Sequence, residues 1–92
     1  MKSILQTNDK CWVCGSPNVE LHHVIYGTAK RKLSDKYGLT VYLCPRHHRG
    51  DEGVHDNKNK TLDTQLKMFA QTKFEEKYGH EKYMEVFKKN YL

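Results

Sequence analysis

Eight side chains of metal-ligating type stand between positions 11 and 55: Cys11, Cys14, His22, His23, Cys44, His47, His48 and His55, with Glu20 just ahead of the first histidine pair. They account for all three cysteines and five of the six histidines in the chain. A tetrahedral zinc takes four soft or borderline ligands. The set exceeds that need, so it can supply a structural zinc and a second site. A module this small rarely carries a second ligand set for stability alone, and the surplus is the lead to function.

The first group is Cys11-x2-Cys14, then 29 intervening residues, then Cys44-x2-His47. Two ligand pairs on two turns, far apart in sequence, form a zinc knuckle arrangement. His48 can replace His47 as the fourth ligand, since both spacings occur. His47 is the better choice because it leaves His48 for the second site.

The second group is His22, His23, His48 and His55. On a regular strand His22 and His23 project to opposite sides, so one can ligate an ion while the other works on a substrate beside it. His48 and His55 are seven apart, nearly one face if the segment is helical. If Gly50 and Gly53 break the helix, the loop can still return His55 to the site. A cation at the phosphate and a base for the water are the needs of metal-assisted phosphodiester hydrolysis.

The elements that must position these groups are short. Val19–Tyr26 and Leu39–Leu43, rich in β-branched and aromatic residues and flanked by Gly27 and Gly38, read as strands. Between them Ala29–Tyr37 is basic and polar, and Ser34 with Asp35 can start a turn of helix that stops at Gly38. Pro45 follows Cys44 where a first helical position belongs, so Pro45–Arg49 opens a helix. Farther on, Leu62, Leu66, Phe69, Ala70, Lys73, Phe74 and Lys77 form one stripe at helical spacing, apolar but for two lysine stems. Gly79 is placed as a stop, and Tyr83, Met84, Phe87 and Tyr91 mark a second short helix. These aromatics serve core packing onto the metal region rather than base stacking.

The chain of 92 residues allows one domain. It reads as a lead-in at 1–10, a metal module at 11–57 and a helical extension at 58–92. At 37% hydrophobic content the core is modest, and small cores are often held by metals. An odd cysteine count with a Cys-x-x-Cys speaks for metal binding in a reducing compartment, not a disulfide framework. The first ten residues hold no run for a signal peptide or membrane helix. The expectation is a soluble protein of the cytoplasm, in a bacterial or phage-infected cell. The net charge is +5. Its excess sits at 30–49, where Lys30, Arg31, Lys32, Lys36, Arg46 and Arg49 face Asp35 alone. A basic stretch inside the metal cluster points to a polyanion, a nucleic acid, brought to that site.

Leu21-His22-His23, then Leu43-Cys44-Pro45-Arg46-His47-His48 and a closing His55, resemble the HNH, or ββα-metal, nuclease motif. The closest likeness is to small phage HNH proteins and phage recombination-enhancement nucleases. It covers about residues 11–57. It implies an α+β fold: a zinc-stapled ββα-metal module, here with a C-terminal helical extension. It implies His23 as the general base, His22, His48 and His55 as ligands of a divalent catalytic metal (Mg²⁺, Mn²⁺, Zn²⁺ or Ni²⁺), and Cys11, Cys14, Cys44 and His47 as ligands of structural Zn²⁺. The activity implied is that of a metal-dependent DNA endonuclease or nickase serving phage replication or recombination, with no organic cofactor and no membrane partner. Lys30, Arg31, Lys32, Arg46 and Arg49 are candidate phosphate contacts. Two departures stand out. Leu39, followed by Thr40, occupies the place of the motif's middle Asn, which helps orient the base. The gap from His48 to His55 is longer than usual. The rival class is a non-catalytic zinc module that binds nucleic acid.

Overall fold

The computed structural model describes residues 2–27, 29–50, 53–54 and 60–92. Two strands, Glu20–His23 (β1) and Thr40–Leu43 (β2), pair antiparallel with Glu20 opposite Leu43, Leu21 opposite Tyr42, His22 opposite Val41 and His23 opposite Thr40. A helix, Lys30–Tyr37 (α1), lies between them in sequence. A short helix, Pro45–His48 (α2), follows β2 at once and packs on both strands. Two helices complete the order: Thr61–Tyr78 (α3) and His80–Phe87 (α4). The fold is thus α+β, a two-stranded sheet with four helices among the described residues.

Several elements differ in extent from the sequence reading. The first strand is four residues, not Val19–Tyr26. Val24 N–H still donates to the Leu39 carbonyl at 3.0 Å, Ile25 turns away to Ser34, and both side chains are fully buried in the core. The intervening helix starts at Lys30 rather than at Ser34. Ser34 does not cap it. It lies buried inside, where its hydroxyl donates to the Ile25 carbonyl and accepts the Ile25 N–H at 3.1 Å. That satisfies the backbone at the point where β1 ends, and a hydroxyl that bonds a distant backbone group is not a helix start. Tyr91 lies beyond α4, which ends at Phe87. The stops at Gly38 and Gly79 and the start at Pro45 fall where their chemistry predicts.

One buried cluster runs from Leu5 to Phe87. Within it Phe74 meets Tyr83 and Phe87 edge-on, with centroids 5.4 and 5.7 Å away, and Tyr83 and Phe87 pack tilted at 4.9 Å. Tyr37, at the end of α1, stands 5.2 Å from Phe74 and brings the basic helix onto the extension. Phe74, Tyr83 and Phe87 are therefore core, as expected, and the two phenylalanines contribute about 1.5–3 kcal/mol each by burial, whereas Phe69 is partly buried and Tyr78 is exposed. Two polar residues of α3, Asp63 and Gln71, are buried as well. Gln71 Nε2 donates to Asn90 Oδ1 and Glu75 Oε2, both at 2.7 Å, and its Oε1 accepts the Tyr91 N–H at 2.7 Å, tying the tail to α3. Among the described residues no helix is long and apolar enough to cross a membrane.

Candidate metal centre and histidine cavity

Cys11 and Cys14 sit on a tight turn in which Gly15 N–H donates to the Cys11 carbonyl and Cys11 N–H to the Ser16 carbonyl, each at 2.9 Å. Gly15 has φ +77°, a left-handed conformation that glycine adopts without a side-chain clash. Trp12 N–H donates to the Tyr42 carbonyl at 2.8 Å, which fixes the turn to the end of β2. There Cys44 heads α2, and its carbonyl accepts from His47 and His48 N–H at 3.0 and 2.9 Å. The strand–helix junction therefore supplies the second ligand pair.

The four ligand atoms of Cys11, Cys14, Cys44 and His47 lie within 4.8 Å of one another. Cys14 and Cys44 sulfurs are 3.7 Å apart, and His47 Nδ1 is 3.2 Å from Cys44 Sγ and 3.8 Å from Cys11 Sγ. Around a tetrahedral zinc, sulfurs stand about 3.8 Å apart and sulfur and nitrogen roughly 3.5 Å apart. The donors fit that ion, and His47, not His48, completes the set. Burial alone would raise the Cys11 thiol, but backbone N–H groups of Cys44, Cys14 and Val13 outweigh it and bring the pKa down to about 6. At Cys14 the Ser16 N–H works downward and is outweighed by burial and the neighbouring Cys11 and Cys44 sulfurs, so that thiol is raised. A turn that offers N–H groups to sulfur is prepared to carry thiolate charge.

A cavity of about 470 Å³ opens beside this centre, lined by Leu21, His22, His23, Tyr26, Gly27, Arg31 and His48. His22 is nearly fully buried, and its ring meets that of His48 edge-on with centroids 5.2 Å apart. Tyr26 closes the other side, 6.0 Å from His22. The Lys67 ammonium lies 4.5 Å over the Tyr26 ring and pairs with Asp63 at 2.9 Å, so α3 fixes the cavity wall. His23, half-buried, has its Nε2 3.7 Å from Asp35 Oδ1. Glu20 bridges the last residue of α2 and its C-cap: Oε1 is 2.8 Å from His48 Nδ1 and Oε2 is 2.7 Å from Arg49 Nη2. The His48 hydrogen bond, then the Arg49 charge, hold the Glu20 carboxyl below the usual carboxylate range against its desolvation.

The structure thus brings together His22, His23 and His48, with Arg31 at the same opening. His55 lies outside the described residues. Among those described, Cys11, Cys14, Cys44 and His47 are the only group of three or more donors close enough to share an ion. The helix α2 ends at His48, and by Val54 the chain is back against it, with Val54 N–H donating to the His47 carbonyl at 3.0 Å. Gly53 allows this return, because a Cβ there would stand 2.8 Å from the His48 carbonyl carbon. Of the other basic candidates, Lys32 and Arg46 are exposed and Lys30 half-buried. Arg49 is engaged by Glu20. The sequence reading gave no role at the site to Glu20, Tyr26 or Asp35. Glu20 was legible in part, since a residue two before His22 shares its strand face. The pairing of Asp35 with His23 depends on how α1 folds back and had no local signal.

Comparison with protein-family models, with curated proteins and with solved structures gives no match.

Proposed function

We propose that this chain is a metal-dependent DNA endonuclease or nickase of the HNH, ββα-metal type, serving phage replication or recombination. The observation that carries the reading is the meeting of His22 from β1 and His48 from α2 in one cavity that Arg31 also lines. Two imidazoles on facing elements suit a borderline divalent ion. The sequence order supports the same reading: β1, an inserted helix, β2, then α2 directly after the zinc cysteine. His22 and His48, with His55 as third, would hold the catalytic ion. When bound, such an ion stabilises charge on the phosphate and on the leaving oxygen.

The chain's own residues do the rest. His23 stands beside the ligand pair on the opposite strand face and takes the proton of the attacking water. Asp35 stands where its carboxylate can orient His23, the task the motif gives to the Asn absent at Leu39. Arg31 meets the phosphate at the cavity mouth, with Lys30, Lys32 and Arg46 along the flanking backbone. Arg49 is held by Glu20 and contributes charge from that fixed position. Cys11, Cys14, Cys44 and His47 keep β2 and α2 in register through a structural zinc, which a reducing, cytoplasmic compartment would preserve.

A zinc module that binds nucleic acid without cutting it is the second reading, favoured by the missing Asn and by the single complete donor set among the described residues. Plasmid nicking with Mg²⁺, Mn²⁺, Zn²⁺ or Ni²⁺, run beside His23→Ala, separates the two. Metal-dependent nicking by wild type and its loss in the variant support the enzyme.

A further inference from the structure

Glu20 uses both carboxylate oxygens, one on the last residue of α2 and the other on the residue that caps it. One oxygen is 2.8 Å from His48 Nδ1 and the other is 2.7 Å from Arg49 Nη2. An exposed ion pair of this kind is worth little in itself. Three features set this one apart. Glu20 and His48 side chains are only 31% and 19% exposed. Glu20 stands two residues before His22 on the same face of β1, so strand and helix are locked together where His22 and His48 meet. And the bond falls on one particular ring atom. A neutral imidazole carries a single N–H, and the bond made by one nitrogen decides which nitrogen remains to bind a metal.

We propose that Glu20 is a positioning residue: it accepts the His48 Nδ1–H, fixes that tautomer, and so makes Nε2 the ligand atom His48 offers to a divalent ion in the cavity. The inference rests on the reading of His48 as a ligand of the second ion. Arg49, 2.7 Å from the other oxygen, holds the carboxylate in place as the acceptor. No bond to the ion comes from Glu20 itself. Its removal should therefore weaken the second ion and leave the zinc at Cys11, Cys14, Cys44 and His47 untouched.

The test uses the full chain with its zinc in place. Long-range proton–nitrogen correlation of the histidine rings reads the His48 tautomer before any second metal is added, in wild type, Glu20→Ala and Glu20→Gln. Nickel binding is then measured calorimetrically on the same samples, with His48→Ala as reference. The expected result is an Nδ1–H tautomer for His48 in wild type, kept in Glu20→Gln, whose amide oxygen can still accept, and lost in Glu20→Ala. Nickel affinity should fall about 10–100-fold in Glu20→Ala and only a few-fold in Glu20→Gln, with one zinc per chain throughout. Wild-type His48 carrying its proton on Nε2 overturns the proposal, as does nickel binding that His48→Ala leaves unchanged. So does a folded Glu20→Ala with unaltered tautomer and affinity. If Glu20→Ala does not fold, the wild-type tautomer and the Glu20→Gln titration still decide. Nickel bound as expected by a protein that cuts no DNA supports the role of Glu20 and sinks the nuclease reading instead.

Discussion

His47 Nδ1 stands 3.2 Å from Cys44 Sγ, one helical turn after it in the chain. This relation assigns the fourth donor of the zinc centre to His47 and turns His48, its neighbour, to the cavity. Structural zinc in small modules contributes on the order of 10 kcal/mol that is also folding energy. Cys14→Ser and His47→Ala should lose the ion and give poorly folded protein, whereas His48→Ala should retain one zinc per chain. Elemental analysis with thermal denaturation checks this. A cooperative transition in protein that holds no zinc would show the assignment to be wrong.

Zinc uptake by the metal-free chain should release protons, and its pH dependence follows from two thiols with opposite shifts. Cys11, with its pKa at about 6, is largely thiolate at neutral pH, whereas Cys14 is raised and still protonated. Zinc binding near neutrality should therefore displace a proton from Cys14 and tighten as pH rises through the range of that thiol. Calorimetry in buffers of different ionisation enthalpy measures the protons released. A count of zero at neutral pH would contradict the assignment of Cys14.

Arg31 lines the cavity, whereas Lys32 and Arg46 are exposed outside its lining. Duplex binding should weaken with salt at a slope of roughly 0.9 per neutralised phosphate, and Lys30→Ala, Arg31→Ala and Lys32→Ala together should flatten that slope. Arg31→Ala alone should also slow cleavage, while Lys32→Ala alone should affect affinity only. An unchanged slope in the triple variant places the DNA surface elsewhere.

The legible parts of the sequence were those fixed by local chemistry. Cys-x-x-Cys, Pro45 after Cys44, and the glycines at 38 and 79 each impose a turn or a stop on their own. The apolar stripe of α3 and the pair of strands followed the same way. The rest was set by contacts between distant segments. Ser34 resembles a helix start until the Ile25 backbone claims its hydroxyl. Asp63 and Gln71 interrupt an otherwise apolar face: Lys67 pairs with one carboxylate oxygen of Asp63, while the tail at Asn90–Tyr91 bonds both ends of the Gln71 amide. Within the cavity, His22 and His48 could be paired from the order of the elements. The Glu20 clamp and the approach of Asp35 to His23 required the register of the sheet and the path of α1.

Glu75 offers a pH test that does not touch the metal residues. Burial raises its pKa, but the Gln71 N–H at 2.7 Å and His80 at 2.6 Å outweigh it and hold the carboxyl below its ordinary value. A depressed carboxylate adds stability above its unfolded pKa and loses it as pH falls through the folded one. Glu75→Gln should therefore cost up to ~1 kcal/mol at neutral pH, with the deficit shrinking toward zero on acidification through the carboxylate range. Urea unfolding of both proteins across that range checks it, the difference cancelling groups they share. A deficit that grows on acidification would refute the sign.

The two adjacent histidines should fail in different ways if the proposed roles hold. His23 lies half-buried next to the His22–His48 pair and is separate from it, with Asp35 Oδ1 3.7 Å from its Nε2. His23→Ala should keep the second metal and DNA affinity but lose cleavage by about 10²–10⁴-fold, the usual worth of a positioned base. Asp35→Ala should lose a smaller part of the rate, since it acts only through the orientation of His23. His22→Ala and His48→Ala should lose the second metal and cleavage together, while the zinc stays. His55→Ala should do the same if it is the third ligand. Because water attacks phosphorus and the 3′ oxygen leaves, nicks should carry 5′-phosphate and 3′-hydroxyl ends, which ligation of the product reads directly. Should wild type and His23→Ala leave DNA equally intact with every divalent ion, the histidines serve no cleavage, and the zinc module that binds without cutting is the correct account.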